Sequence, residues 1–118
     1  MGEERRTTAR IRTYRPLRLQ RSQAPGIVET LTKDLAPGGL RCLSSTLVPV
    51  ATEVDVELVL SRGEEPVIAR GRAVWFRMIP ESEQFDIGIE FLDLDPQSKR
   101  RLSVYIDRLS SQIASSPV

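Results

Sequence analysis

Alternation of apolar and polar side chains with a period of two is the feature that most limits what this chain can fold into. Between Glu53 and Leu60, the residues Val54, Val56, Leu58 and Leu60 fall on one face, and Asp55 and Glu57 on the other. Phe85, Ile87, Ile89 and Phe91 alternate in the same way with Asp86, Gly88 and Glu90. An extended strand places every second side chain on the same side, so both segments read as strands with one face toward a core. Tyr14 to Leu19 adds a third, in which Leu17 and Leu19 share a face. Pro16 cannot donate to a ladder and marks an edge strand or a bulge there. Ile27 to Leu31 is rich in β-branched residues, Leu40 to Leu43 is short, and Val67 to Arg77 is long and apolar with Arg70 and Arg72 on one face. Gly71 within it marks a bend or bulge. Gln23–Gly26, Asp34–Gly39, Ser61–Glu65 and Pro80–Glu83 supply the turns.

The period changes once. Asp95 suits a helix cap and Pro96 the first helical position. Leu102, Tyr105, Ile106, Leu109 and Ile113 then form one helical stripe, expected to cover the sheet or an open barrel end. The fold class is therefore all-β: a six-stranded antiparallel β-barrel with a C-terminal α-helix. Closure removes free edges and accommodates this many strands in few residues. A chain of 118 residues suits a single domain with one core and no disulfide or metal staple. We expect an Arg-rich arm over residues 1–12, the barrel with its helix over 13–113, and a frayed tail over 114–118.

Composition narrows the chemistry. There is no His, which removes the usual Ser-His-Asp and Cys-His nucleophile systems and His-ligated zinc. The lone Cys42 has no partner for an internal disulfide and is expected to act as a small apolar strand residue. No phosphate-binding glycine loop or singled-out carboxylate pair is present, so no enzyme and no cofactor are expected. The N-terminus is polar and no apolar run approaches membrane-spanning length, so a cytoplasmic location without a membrane span is expected.

Charge is distributed unevenly. Residues 1–21 hold seven Arg against two Glu, a balance of +5, whereas residues 22–118 hold ten basic and fourteen acidic residues, a balance of −4. Arg offers a planar fork suited to phosphate and to the guanine edge, and its face stacks on bases. A solvated, partly disordered tail has the same composition. Nucleic acid is a disfavoured partner, because the rest of the chain repels a phosphate backbone and only six residues are aromatic.

Two short pieces stand out together. Arg6 and Arg10 lie four apart just before the first strand, so an extended segment keeps both on one side and a tight turn lets both forks converge on one anion. Asp34-Leu35-Ala36-Pro37-Gly38-Gly39 is a strand end that breaks into a glycine turn. A carboxylate there can accept from guanine N1–H and N2–H, and the glycines admit close backbone approach. Arg with Asp and Gly is thus a set suited to a guanine nucleotide; an Asx-turn at Asp34 and a bulge at Gly38-Gly39 are the structural alternatives.

These pieces, followed by Ala73-Val74-Trp75-Phe76 and Gly88-Ile89-Glu90-Phe91, resemble the PilZ domain family in the right order over about residues 4–110. That family is a six-stranded antiparallel β-barrel with a helical extension. The resemblance implies binding of cyclic di-GMP, a bacterial second messenger, often as an intercalated dimer. Arg6 and Arg10 would grip phosphate and guanine with Arg5 assisting, Asp34 would take a guanine edge, and Gly39 would give the close turn. The arm would be mobile when free and wrap over bound ligand. Ala36 stands where the family motif has Ser, which removes a hydroxyl hydrogen bond. The implied role is a receptor or effector domain that couples second-messenger level to an unidentified effector protein controlling motility, adhesion or exopolysaccharide. The alternative is a PilZ-fold interaction adaptor that does not bind cyclic di-GMP. Trp75 is expected to pack in the core, the alternative being a stacking surface beside the ligand. Arg41 is either a solvated strand residue or a phosphate contact.

Overall fold

The structure, a computed structural model, describes residues 10–22 and 25–115. Seven strands form one antiparallel sheet: β1 (Ile11–Arg12), β2 (Pro16–Arg21), β3 (Ile27–Ala36), β4 (Gly39–Ser44), β5 (Glu53–Leu58), β6 (Val67–Met78) and β7 (Phe85–Leu94). Their order is β1-β3-β2-β5-β6-β7-β4, and β4 also pairs with β3. That last pairing closes β2 to β7 into a six-stranded barrel, with β1 outside it on the β3 edge. Helix α1 (Pro96–Ser115) follows.

The alternating segments form the barrel wall. Val54, Val56, Leu58 and Leu60 point inward and are buried, as are Leu17, Leu19, Ile87 and Ile89. Cys42 is buried among them. Burial, and then the negative charge of Asp86, push its thiol up to about 12, so it remains a neutral apolar side chain. The helix begins where the Asp95 carboxylate accepts from the Ser98 backbone N–H at 2.8 Å and the Ser98 hydroxyl at 3.2 Å. This satisfies an amide that the first turn leaves without a partner. Leu102 and Ile106 are fully buried in the barrel core, with Tyr105 and Leu109 packed beside them.

Four details differ from the sequence reading. The strand expected over Ile27 to Leu31 continues to Ala36, because Thr32 and residues 34–36 pair with β4 and Leu35 and Asp34 also pair with β1. The break reduces to the two-residue turn Pro37-Gly38. The strand containing Pro16 is not an edge: it lies between β3 and β5, with Pro16 at its first residue, where a missing N–H is tolerated. The arm boundary after residue 12 is not a break either, since Ile11 and Arg12 form β1 and Ile11 is buried against Leu35. At the other end, α1 runs to Ser115, past the expected start of the tail.

Candidate functional site

Thr32 fixes the approach of the chain to the site. Its buried hydroxyl donates to the Thr13 carbonyl at 2.6 Å and accepts from the Arg15 N–H at 2.9 Å. The Thr32 N–H in turn donates to the Arg15 carbonyl at 2.9 Å. These bonds hold the bend between β1 and β2, so β1 runs along the β3 edge and delivers Arg10 beside Asp34. Thr13 also hydrogen-bonds the Tyr105 hydroxyl at 3.0 Å, tying the same bend to α1.

Asp34 is only 4% exposed, and both its oxygens are engaged. Arg10 Nη1 donates to Oδ1 at 2.5 Å, and Arg41 Nη2 lies 2.9 Å from Oδ2. The carboxylate therefore positions two guanidiniums, one from the segment before β1 and one from β4. Arg41 Nε is buried and finds no hydrogen-bond partner among the described residues.

Register extends this cluster across the outer face. Asp34 pairs with Arg41, Arg41 with Gly88, and Gly88 with Trp75, a single row crossing β3, β4, β7 and β6. Directly opposed residues of antiparallel strands share a face, so these side chains lie together. Two bulges create the row. In β3 the register shifts between Thr32 and Asp34, leaving Lys33 unpaired; in β6 it shifts between Ala73 and Trp75, leaving Val74 unpaired. Each extra residue inverts the alternation, so Asp34 and Trp75 face outward although Thr32 and Ala73, two positions earlier, face inward.

Trp75 is thus 41% exposed rather than packed in the core. Its indole lies on Gly88, where an added Cβ would stand 2.2 Å from Trp75 Nε1. Only glycine leaves room for the ring to lie against the sheet. Gly39 has a comparable reason: a Cβ there would meet the Ile89 carbonyl oxygen at 2.2 Å. Close approach of β4 to β7 sets that position. An open groove of about 240 Å³ lies over this region, lined by Arg10, Ala36, Gly38, Gly39, Trp75 and Gly88 among others. It offers an aromatic face, glycine backbone and a guanidinium, a combination suited to a base carrying a phosphate.

Of the residues singled out in the sequence, Arg10, Asp34, Ala36 and Gly39 come together here. Arg5 and Arg6 lie outside the described residues, as does most of the arm expected to wrap over ligand. In the sequence alone Arg41 is ambiguous and Trp75 is expected in the core; in the structure Arg41 meets Asp34 and Trp75 lies on the outer face. The signal that could have found Trp75 is Gly88, a small residue in a strand where a partner aromatic needs space.

Beside the row, Asp86 is wholly buried. Its Oδ1 accepts from Lys33 Nζ and its Oδ2 from Arg77 Nη2, each at 2.8 Å. Burial alone raises a carboxyl pKa, but the hydrogen bonds and charges of Lys33 and Arg77 outweigh it and hold Asp86 below its ordinary value. Among the described residues no group of three or more His, Cys, Asp or Glu is placed to hold a metal ion, and no helix is long and apolar enough to cross a membrane.

Comparison with known proteins gives the family and the fold. The family model described as PilZ domain matches residues 4–108. Among solved structures, the PilZ domain of YcgR from Escherichia coli with c-di-GMP aligns with a TM-score of 0.70 at 14% identity, over 97% of this chain and 99% of that one. The PilZ domain of CeSA from a cellulose-synthesizing bacterium aligns with a TM-score of 0.64 at 20% identity, over 87% of this chain and 99% of that one. The Bacillus subtilis inhibitor of motility MotI/DgrA gives 0.73 at 14% identity over 89% of this chain, which spans only 51% of that protein. No curated protein sequence matches.

Proposed function

The chain belongs to the PilZ domain family, and from that premise we propose that it is a receptor for cyclic di-GMP which binds in the groove beside Trp75. The observation that carries the reading is the Arg10–Asp34–Arg41 cluster set in one row with the exposed indole. Asp34 orients two guanidiniums, so neither must be ordered anew when ligand arrives. Arg10 donates to phosphate and to guanine O6 and N7, Arg41 adds a second fork, and Trp75 stacks on a base. Gly39 and Ala36 let the ligand approach the backbone of the β3–β4 hairpin. Arg5 and Arg6 complete the contact from the arm. No catalysis is part of this role.

The output is a change in the surface presented to an effector protein when ligand is bound. Motility, adhesion or exopolysaccharide machinery in the bacterial cytoplasm is the proposed setting. One observation favours a second reading, an adaptor that ignores the nucleotide: Ala36 supplies no hydroxyl at the motif's Ser position.

Isothermal titration calorimetry with cyclic di-GMP, using Arg10→Ala as the comparison, separates the two. Saturable heat in the wild type that vanishes in the variant is expected, and its stoichiometry distinguishes one ligand molecule from an intercalated pair. Absence of heat in the wild type up to high micromolar ligand would leave the adaptor reading.

A further inference from the structure

We propose that Lys33 and Arg77, held on the buried Asp86 carboxylate, form a second anion-binding position on this face and take a phosphate of the nucleotide. The inference rests on the reading of the groove as a cyclic di-GMP site and extends it to residues outside the family motifs.

The placement comes from the register. Arg77 opposes Asp86, the next outward-facing pair along β6 and β7 from Trp75 and Gly88. Two residues along a strand span roughly 7 Å, so the pair stands one row from the indole. Lys33 is the bulge residue immediately before Asp34, and it reaches over β4 to meet Asp86 on β7. The two cations therefore flank the Asp34–Arg41–Gly88–Trp75 row on one side. On the other side the next row holds Gly39, Glu90 and Arg72, where Arg72 is hydrogen-bonded to Glu90 and no charge is left over.

The charge balance points the same way. One carboxylate neutralises one cation, yet Asp86 carries two. Lys33 alone bridges β3 to β7, and Arg77 satisfies the second carboxylate oxygen, so the cluster as a whole holds one positive charge more than neutrality needs. Each oxygen takes one donor, so Lys33 keeps two ammonium protons and Arg77 its remaining N–H groups. The Arg77 side chain is 67% exposed, so those donors are open to a ligand. The Lys33–Asp86–Arg77 cluster is +1, and so is the Arg10–Asp34–Arg41 cluster. Cyclic di-GMP carries two singly charged phosphodiesters. Two clusters of one net charge each, one in the row of the indole and one in the next row, match a ligand of that valence.

The test is calorimetric titration of cyclic di-GMP into wild type, Arg77→Gln, Arg77→Lys and Arg62→Gln at low and high salt. Arg77→Gln leaves Lys33 on Asp86, so the buried carboxylate stays paired. Arg62, exposed in the β5–β6 loop, is the charge-matched comparison. The expected result is about tenfold weaker binding for Arg77→Gln at low salt, a difference that shrinks as salt is added. Arg77→Lys restores most of it, and Arg62→Gln is unchanged. Equal affinity of Arg77→Gln and wild type, or an equal loss in Arg62→Gln, overturns this inference and leaves the receptor reading standing. No binding by wild type overturns both.

Discussion

Ala36 sits in the wall of the groove beside Gly39, its cross-strand partner at the tip of the β3–β4 hairpin. Adding a hydroxyl at this position restores the donor and acceptor that the family motif carries. A single neutral hydrogen bond is worth about 0.5–1.5 kcal/mol net, so Ala36→Ser is expected to tighten cyclic di-GMP binding roughly threefold to tenfold. Calorimetry of the two proteins side by side measures this, and equal affinities would show that the hydroxyl has no partner in the bound state. At the same scale, Arg10, Asp34 and Gly39 were legible through an order of motifs that resembles the family's, each piece being weak on its own. Arg41 was not, because nothing in a strand sequence says which neighbour an outward arginine meets. Its role appears only once Asp34 is seen to face it across the β3–β4 ladder.

Among the elements, the hairpins and the helix start were readable and the bulges were not. Val54, Val56 and Leu58 keep strict alternation through β5, and their burial follows it without exception. In β6 the same rule holds for Val67, Ala69, Gly71 and Ala73 and then fails at Trp75, because Val74 is inserted without a partner. A one-residue insertion carries no compositional mark, yet it moves every later side chain to the opposite face. The bulge at Lys33 does the same for Asp34. Two inversions therefore account for why the site lies on the outer face when simple alternation from Thr32 and Ala73 puts both residues inside. The close contact of β4 and β7 gives a stability prediction. Gly39→Ala brings a methyl group against the Ile89 carbonyl oxygen, and backbone cannot yield as a flexible side chain does. The expected loss is at the upper end of about 1–3 kcal/mol, read from urea denaturation. Gly38→Ala is the comparison, because a Cβ there meets nothing within 4 Å and should cost far less. Equal losses would contradict the close-approach argument.

For the molecule as a whole, net charge conceals two features that decide its behaviour. One is the concentration of Arg before β2; the other is Asp86, a wholly buried carboxylate that bridges β3 and β6 through Lys33 and Arg77. Alternation puts Asp86 on the outer face of β7, where it is nonetheless wholly buried with Lys33 and Arg77 on its carboxylate. Because its pKa is lowered in the folded state, Asp86 contributes stability that is fully present above the ordinary carboxyl value of 3.8 and is lost as pH falls through the lower folded value. Thermal melts from neutral pH downward should show Tm falling in that acid range. Asp86→Asn should melt lower at neutral pH and lose less on acidification; an unchanged slope would mean that other carboxylates dominate.

The outer face carrying Arg10, Asp34, Arg41 and Trp75 is the proposed binding surface for cyclic di-GMP. The chain has one tryptophan, and it lies in that groove. Titrating cyclic di-GMP while following tryptophan emission tests the claim most directly. A saturable change is expected in wild type, with the midpoint found by calorimetry, and none at the same concentrations in Arg10→Ala. Saturating heat with flat emission would place the ligand elsewhere and contradict the account.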